Sequence, residues 1–164
     1  MNSKLEARKL AFNRIRDLPL HCPEFLTDKN YTCWGKHRLL FLKLKKLSYR
    51  VRFRVCLFKW SEFGLPKRIY KLAPQDLDKH LYLEVFINDR WTVLDCSNDS
   101  KLSHYNKWNG KSNCRLAVKP IRIFSPSESI KIEKEMRCNF NSIVKKYSEF
   151  YKLLNLFLCE LRAK

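Results

Sequence analysis

Glycine is scarce, three residues in 164, and no Ser/Gly-rich or Pro-rich stretch interrupts the chain. Without a flexible linker, no split into separate units is expected. Internal repeats and low-complexity tracts are missing as well. Nowhere do eighteen uncharged apolar residues run together, and the amino-terminal Met-Asn-Ser-Lys-Leu-Glu-Ala-Arg-Lys has no continuous apolar segment. Those two absences argue against a membrane span and a secretory signal. The seven cysteines (22, 33, 56, 96, 114, 138 and 159) are odd in number, irregularly spaced and include no C-x-x-C pair. Neither a disulfide framework nor a zinc knuckle fits them, so reduced thiols are expected. Acidic residues are the remaining shortage: 16 Asp and Glu face 34 Lys and Arg, a formal charge of +18. Such an excess predicts attraction to polyanions or acidic surfaces and says nothing about fold. The expectation is a soluble, cytoplasmic protein with one domain over residues 1–164.

What is present is enough for a core. Hydrophobic residues make up 45% and aromatics 13% of the chain, which excludes a disordered polymer. Leu5, Ala11, Phe12, Ile15 and Leu18 mark one face of an amino-terminal helix over about 4–18, stopped by Pro19 and Pro23. From Cys33 to Leu47, five leucines and Phe41 predict a helix apolar over much of its circumference, the pattern of one packed at the centre of a domain. Thr32 or Asn30 is placed to cap it. Tyr49–Leu57 alternates strictly and predicts a strand, with Val51, Phe53, Val55 and Leu57 inward and Arg50, Arg52 and Arg54 outward. Residues 60–79 read as an irregular excursion able to wall a site. After a polar loop over 97–112, a strand interrupted at Pro120 is expected over 116–124. Ile143, Tyr147, Phe150, Leu154, Phe157 and Leu161 then predict a long amphipathic helix within about 128–162. The order of elements is that of an α+β fold.

The stretch 80–95 organises the chemistry. Two β-branched and aromatic runs flank Asn88-Asp89-Arg90, which predicts a β-hairpin with a short polar turn. His80 and Asp95 then lie at the same end of the hairpin, where strands about 4.8 Å apart let an imidazole reach a carboxylate. Cys33 opens the central helix, where the macrodipole and unpaired backbone N–H groups favour a thiolate. No acidic residue falls between Asp28 and Glu62, while ten basic residues do, so a positive field around Cys33 is expected. Cys, His and Asp in this order supply nucleophile, general acid/base and orienting carboxylate.

These residues carry a resemblance. Cys33-Trp34, Leu39-Leu40, Arg52, His80-Leu81-Tyr82-Leu83-Glu84-Val85 and Trp91-Thr92-Val93-Leu94-Asp95 resemble the motif core of the transglutaminase-like superfamily, relatives of papain-type cysteine proteases. The match covers about residues 30–97. The resemblance implies a papain-like core, a central helix against an antiparallel sheet, and no cofactor or metal. It further implies acyl transfer on amide bonds of a protein or peptide through a Cys33–His80–Asp95 triad and a thioester, with hydrolysis favoured over crosslinking. Oxyanion donors and pocket walls are sought among the Cys33 N–H, Asn30, Thr32, Trp34, Trp60 and Tyr82. The alternative is a catalytically idle module of the same fold. It would hold nucleic acid or an acidic partner on a basic face that includes Arg50, Arg52 and Arg54.

Overall fold

The computed structural model describes residues 3–164; Met1 and Asn2, the start of the amino-terminal stretch read above, lie outside them. Ten elements follow one another, beginning with helices α1 (Ser3–Arg16) and α2 (Cys33–Lys46). Strand β1 (Val51–Lys59) leads through a 3-10 turn at Trp60–Glu62 and the short helix α3 (Lys67–Tyr70) to strands β2 (Leu77–Ile87) and β3 (Arg90–Leu94). A two-residue strand β4 (Arg122–Ile123) precedes helices α4 (Pro126–Cys138) and α5 (Phe140–Arg162). The fold is mixed α+β around one four-stranded antiparallel sheet of order β3-β2-β1-β4.

The hairpin forms where the sequence places it. Asn88 and Asp89 both take positive φ (49° and 59°), the two-residue turn whose twist matches that of its strands and that Asn and Asp tolerate well. The register that follows pairs Phe86 with Trp91 and Leu83 with Leu94. Residues two apart share a face, so Leu81, Leu83 and Val85 project together with Val51, Phe53 and Val55. That face packs on α2, with Leu40 and Leu44 fully buried, and α1 adds Phe12 and Ile15. The opposite face carries Arg52, Arg54, Cys56 and Phe58 beside Glu84, Tyr82 and His80; Leu116 and Val118 cover its Cys56–Phe58–Tyr82 part.

Two expectations need correction. The strand foreseen over 116–124 shrinks to Arg122–Ile123, because Pro120 has no N–H for the ladder; Ile121 and Phe124 still donate to the Leu57 and Val55 carbonyls (2.8 and 3.0 Å). The single helix foreseen over 128–162 is two helices that break at Asn139 (φ −97°, ψ 10°). Ser125 caps α4 with a complete capping box to Glu128, a signal that fixes where the helix starts. The break lets α4 lie along β1, where the Ser129 hydroxyl accepts from the Val55 N–H (3.1 Å), while α5 runs elsewhere.

Helix α5 builds a second core. Tyr147, Phe150, Leu154 and Leu158 pack with Cys22, Leu65, Ile69 and Leu102. Two polar clasps tie it down. Asn155 exchanges hydrogen bonds with both backbone groups of Cys22 (2.9 and 2.8 Å). Arg162 grips Asp99 (2.7 Å) and the Leu20 carbonyl (2.8 Å). Buried groups matched this fully cost little to desolvate, so α5 is held over the segment leading into α2. Among the described residues no helix is long and apolar enough to cross a membrane.

Candidate functional site

Cys33 is the first residue of α2, and Thr32 caps the helix by accepting from the Trp34 N–H (3.2 Å). Thr32 is held in turn by Asn30, whose Oδ1 accepts from both the Thr32 N–H (3.1 Å) and its hydroxyl (2.6 Å). Asn30 also lines the cavity beside Cys33. Among the described residues the Cys33 N–H has no backbone acceptor, as the first N–H of a helix must lack one inside it. Gly35 makes this arrangement possible: a Cβ there would sit 1.8 Å from the Asn30 carbonyl oxygen. Only glycine lets the Asn30 backbone lie against the first turn.

His80 and Asp95 meet as the hairpin predicts. Both are buried, and His80 Nε2 donates to Asp95 Oδ2 at 2.8 Å, which leaves the other ring nitrogen for the thiol. Burial opposes the imidazolium, but the Asp95 carboxylate and the neighbouring Cys33 sulfur outweigh it and push His80 up to about 10. For Asp95, burial is outweighed by His80 and by its hydrogen bonds, which hold the carboxyl well below the usual range. Oδ1 accepts from the Ser97 N–H (3.0 Å) and hydroxyl (2.6 Å), and Oδ2 from the Ala117 N–H (2.7 Å) as well as His80. A buried carboxylate with four donors is a fixed anion.

Several groups in this network were not legible in the sequence. Lys36, one of the ten basic residues between Asp28 and Glu62, is fully buried and donates to three carbonyls, those of Arg16 (2.7 Å), Leu18 (2.9 Å) and Ser97 (2.7 Å). It ties the end of α1 and the loop after β3 to the helix that carries Cys33, and burial pulls its pKa down to about 8. His37 is also fully buried. Its Nδ1 donates to the Cys33 carbonyl (2.5 Å) and its Nε2 accepts from the Cys96 N–H (3.0 Å), which requires the neutral ring; burial accordingly lowers its pKa to about 4. His37 therefore positions the turn and is not free to take a proton.

The remaining expected residues separate. Trp60 is a cavity wall whose Nε1 donates to Asp78 (3.0 Å). Trp34 also lines the cavity and packs against the sheet and α4, with its Nε1 sealed from solvent and unpaired. Tyr82 belongs to the core with Cys56, Phe58 and Val118 and is not among the cavity walls. The arginine stripe is largely spent internally. Arg52 pairs with Glu84 (2.6 Å), Arg54 pairs with the same carboxylate and with the Phe124 carbonyl (2.9 Å), and Arg50 and Arg52 stack on Trp91 (5.6 and 3.9 Å).

The cavity has a volume of about 280 Å³, with Cys33 and His80 on one wall and the 3-10 turn, α4 and α5 around the rest. Of the seven cysteines, all unpaired, Cys33 is the one that is partly exposed beside a histidine; Cys22, Cys56, Cys96 and Cys114 are buried, and burial pushes all four thiols up. Chemically, the site can attack an electrophilic carbon with sulfur, shuttle a proton through His80 and meet an oxyanion with the Cys33 N–H. The chain matches no family model, no curated protein and no solved structure.

Proposed function

We propose that the protein is a thiol acyltransferase or hydrolase of transglutaminase-like, papain-related architecture, acting through Cys33, His80 and Asp95. The observation that carries this reading is the buried His80–Asp95 pair (2.8 Å) next to a partly exposed cysteine at a helix start. A histidine held charged by a fully donor-satisfied carboxylate is an acid ready to protonate a leaving group. In the forward step the Cys33 thiolate attacks the carbonyl carbon of an amide or ester. The oxyanion is received by the Cys33 N–H and Asn30 Nδ2, and His80 gives its proton to the departing amine or alcohol as the C–N or C–O bond breaks. Water or an amine then attacks the thioester, His80 takes a proton from it, and the C–S bond breaks to release the Cys33 thiolate. Asp95 keeps Nε2 of the ring protonated throughout.

The rival reading, an idle module holding nucleic acid on its basic face, has less behind it, since Arg52 and Arg54 are committed to Glu84. Alkylation of Cys33 by iodoacetamide, mapped by peptide mass, decides between them. Cys33 is expected to react faster than the other six cysteines and to become slow in His80→Ala. Reactivity of Cys33 no greater than that of exposed Cys138 and Cys159, and indifferent to His80, would refute the catalytic reading.

A further inference from the structure

The walls of the cavity identify what is carried on the acyl side of the carbonyl. With Cys33 and His80, the lining includes Trp60, Phe63, Val144, Tyr147, Tyr151 and Leu154. Three charged side chains also border the space: Asp78, Lys79 and Lys146. Asp78 does not offer a free carboxylate, because it accepts from Trp60 Nε1 (3.0 Å), the Lys79 N–H (2.8 Å) and the Tyr147 hydroxyl; it fastens two aromatic walls to each other across β2 and α5. Lys146 is exposed and belongs to the rim. Apart from half-buried Lys79 and the polar Asn30, Thr32, Gln75, Ser97 and Asn98, the lining is apolar and rich in aromatic rings, in a protein whose net charge of +18 would by itself suggest an acidic substrate.

Size narrows the class. An apolar cavity of about 150 Å³ takes a benzene ring, so about 280 Å³ has room for roughly ten carbons at the same density. The roof is secured: α5 is clasped to Cys22 by Asn155 and to Asp99 by Arg162, and Cys22 lies in the segment that leads into the Cys33 turn. A largely apolar cavity that is partly open to solvent favours a ligand that gains by leaving water, and a charged peptide side chain would lose part of its hydration there.

We infer that the acyl group transferred through Cys33 is apolar, an alkyl chain or ring-bearing group of about six to ten carbons seated between the Trp60 turn and α5. The inference rests on the acyl-transfer reading above and names its substrate class. p-Nitrophenyl esters from acetate to decanoate, held below their micelle concentrations, test it. Each added methylene is expected to raise kcat/KM about two- to fourfold, from the roughly 0.8 kcal/mol a buried CH₂ contributes, so octanoate exceeds acetate by at least about 50-fold. Cys33 should carry the acyl group in a mass-detected burst. Ile143→Trp, at the partly exposed edge of the cavity, should cut the octanoate-to-acetate ratio by at least tenfold. An N-acetyl-phenylalanyl ester used better than octanoate would assign the apolar group to a peptide residue; the reverse would assign it to a lipid-like chain. Equal use of acetate and octanoate with Cys33 acylated would overturn the inference and leave acyl transfer standing. No acylation of Cys33 by any ester would remove acyl transfer instead. In that event thermal shifts of Cys33→Ser with octanamide and acetamide decide the cavity alone: stabilisation by octanamide only supports an apolar ligand, and no stabilisation by either refutes it.

Discussion

Replacing Gly35 by alanine probes the link between fold and chemistry most directly. The added Cβ would lie 1.8 Å from the Asn30 carbonyl oxygen, 2.6 Å from its carbon and 3.0 Å from the Asn30 Cγ, whereas contacts below 3.0 Å are essentially never made. The Asn30 backbone has to retreat by more than about 1 Å, and the obstacle is main chain, which no rotamer change relieves. Overpacking of this kind costs about 1–3 kcal/mol, while alanine recovers up to about 1 kcal/mol of helix propensity. A net loss of about 1–2 kcal/mol is expected in urea unfolding. The larger effect falls on the chemistry: Asn30 tethers the Thr32 cap and, in the proposed mechanism, supplies an oxyanion donor, and a displacement of about 1 Å can cost on the order of 100-fold in rate. Acylation of Cys33 by p-nitrophenyl esters should drop by that factor. Alkylation by iodoacetamide, which forms no oxyanion, should fall by less than about threefold. A Gly35→Ala variant as stable and as fast in acylation as the parent would refute the account of Asn30. Equal losses in both reactions would show that the substitution acts on the thiol and not on the oxyanion site.

Two further outcomes follow from the buried network. Lys36→Met keeps the bulk of the side chain but strands the Arg16, Leu18 and Ser97 carbonyls; a loss of about 3 kcal/mol in urea unfolding is expected, and an unchanged midpoint would mean that water takes over those three acceptors. His80 is raised from its ordinary value to about 10 in the fold, so the folded protein holds a proton that the unfolded chain releases. Its contribution to stability is complete below about pH 6.5 and is lost as pH rises toward 10, by up to about 1.4 kcal/mol per pH unit. With Cys33 replaced by serine, so that the thiol exchanges no compensating proton, stability should fall as pH rises from about 6.5 to 8, and His80→Gln should flatten that fall; identical slopes would show that the imidazolium–carboxylate pair does not form.

The parts of this protein written into its sequence are the local ones. Asn88-Asp89 sets a two-residue turn, the turn sets the register, and the register brings Asp95, just past β3, within diagonal reach of His80. Ser125 and Glu128 likewise mark where α4 starts, and the alternation of Val51, Phe53 and Val55 marks a strand face. Each depends on residues within a few positions of one another, where backbone geometry allows little else. The tertiary structure alone decided the rest. Lys36 and His37 look like a solvated cation and a spare base beside Cys33, yet carbonyls from α1 and the 95–97 loop, and the Cys96 N–H, turn them into a clamp and a neutral strut. The stripe of Arg50, Arg52 and Arg54 looks like an open basic face until Glu84, next in the β1–β2 register, claims two of the three. The apolar cavity depends on α5, more than sixty residues after His80, folding back over the site. Such roles are settled by partners distant in sequence, and whether a charged side chain is free or satisfied depends on which carbonyls and carboxylates the fold brings to it.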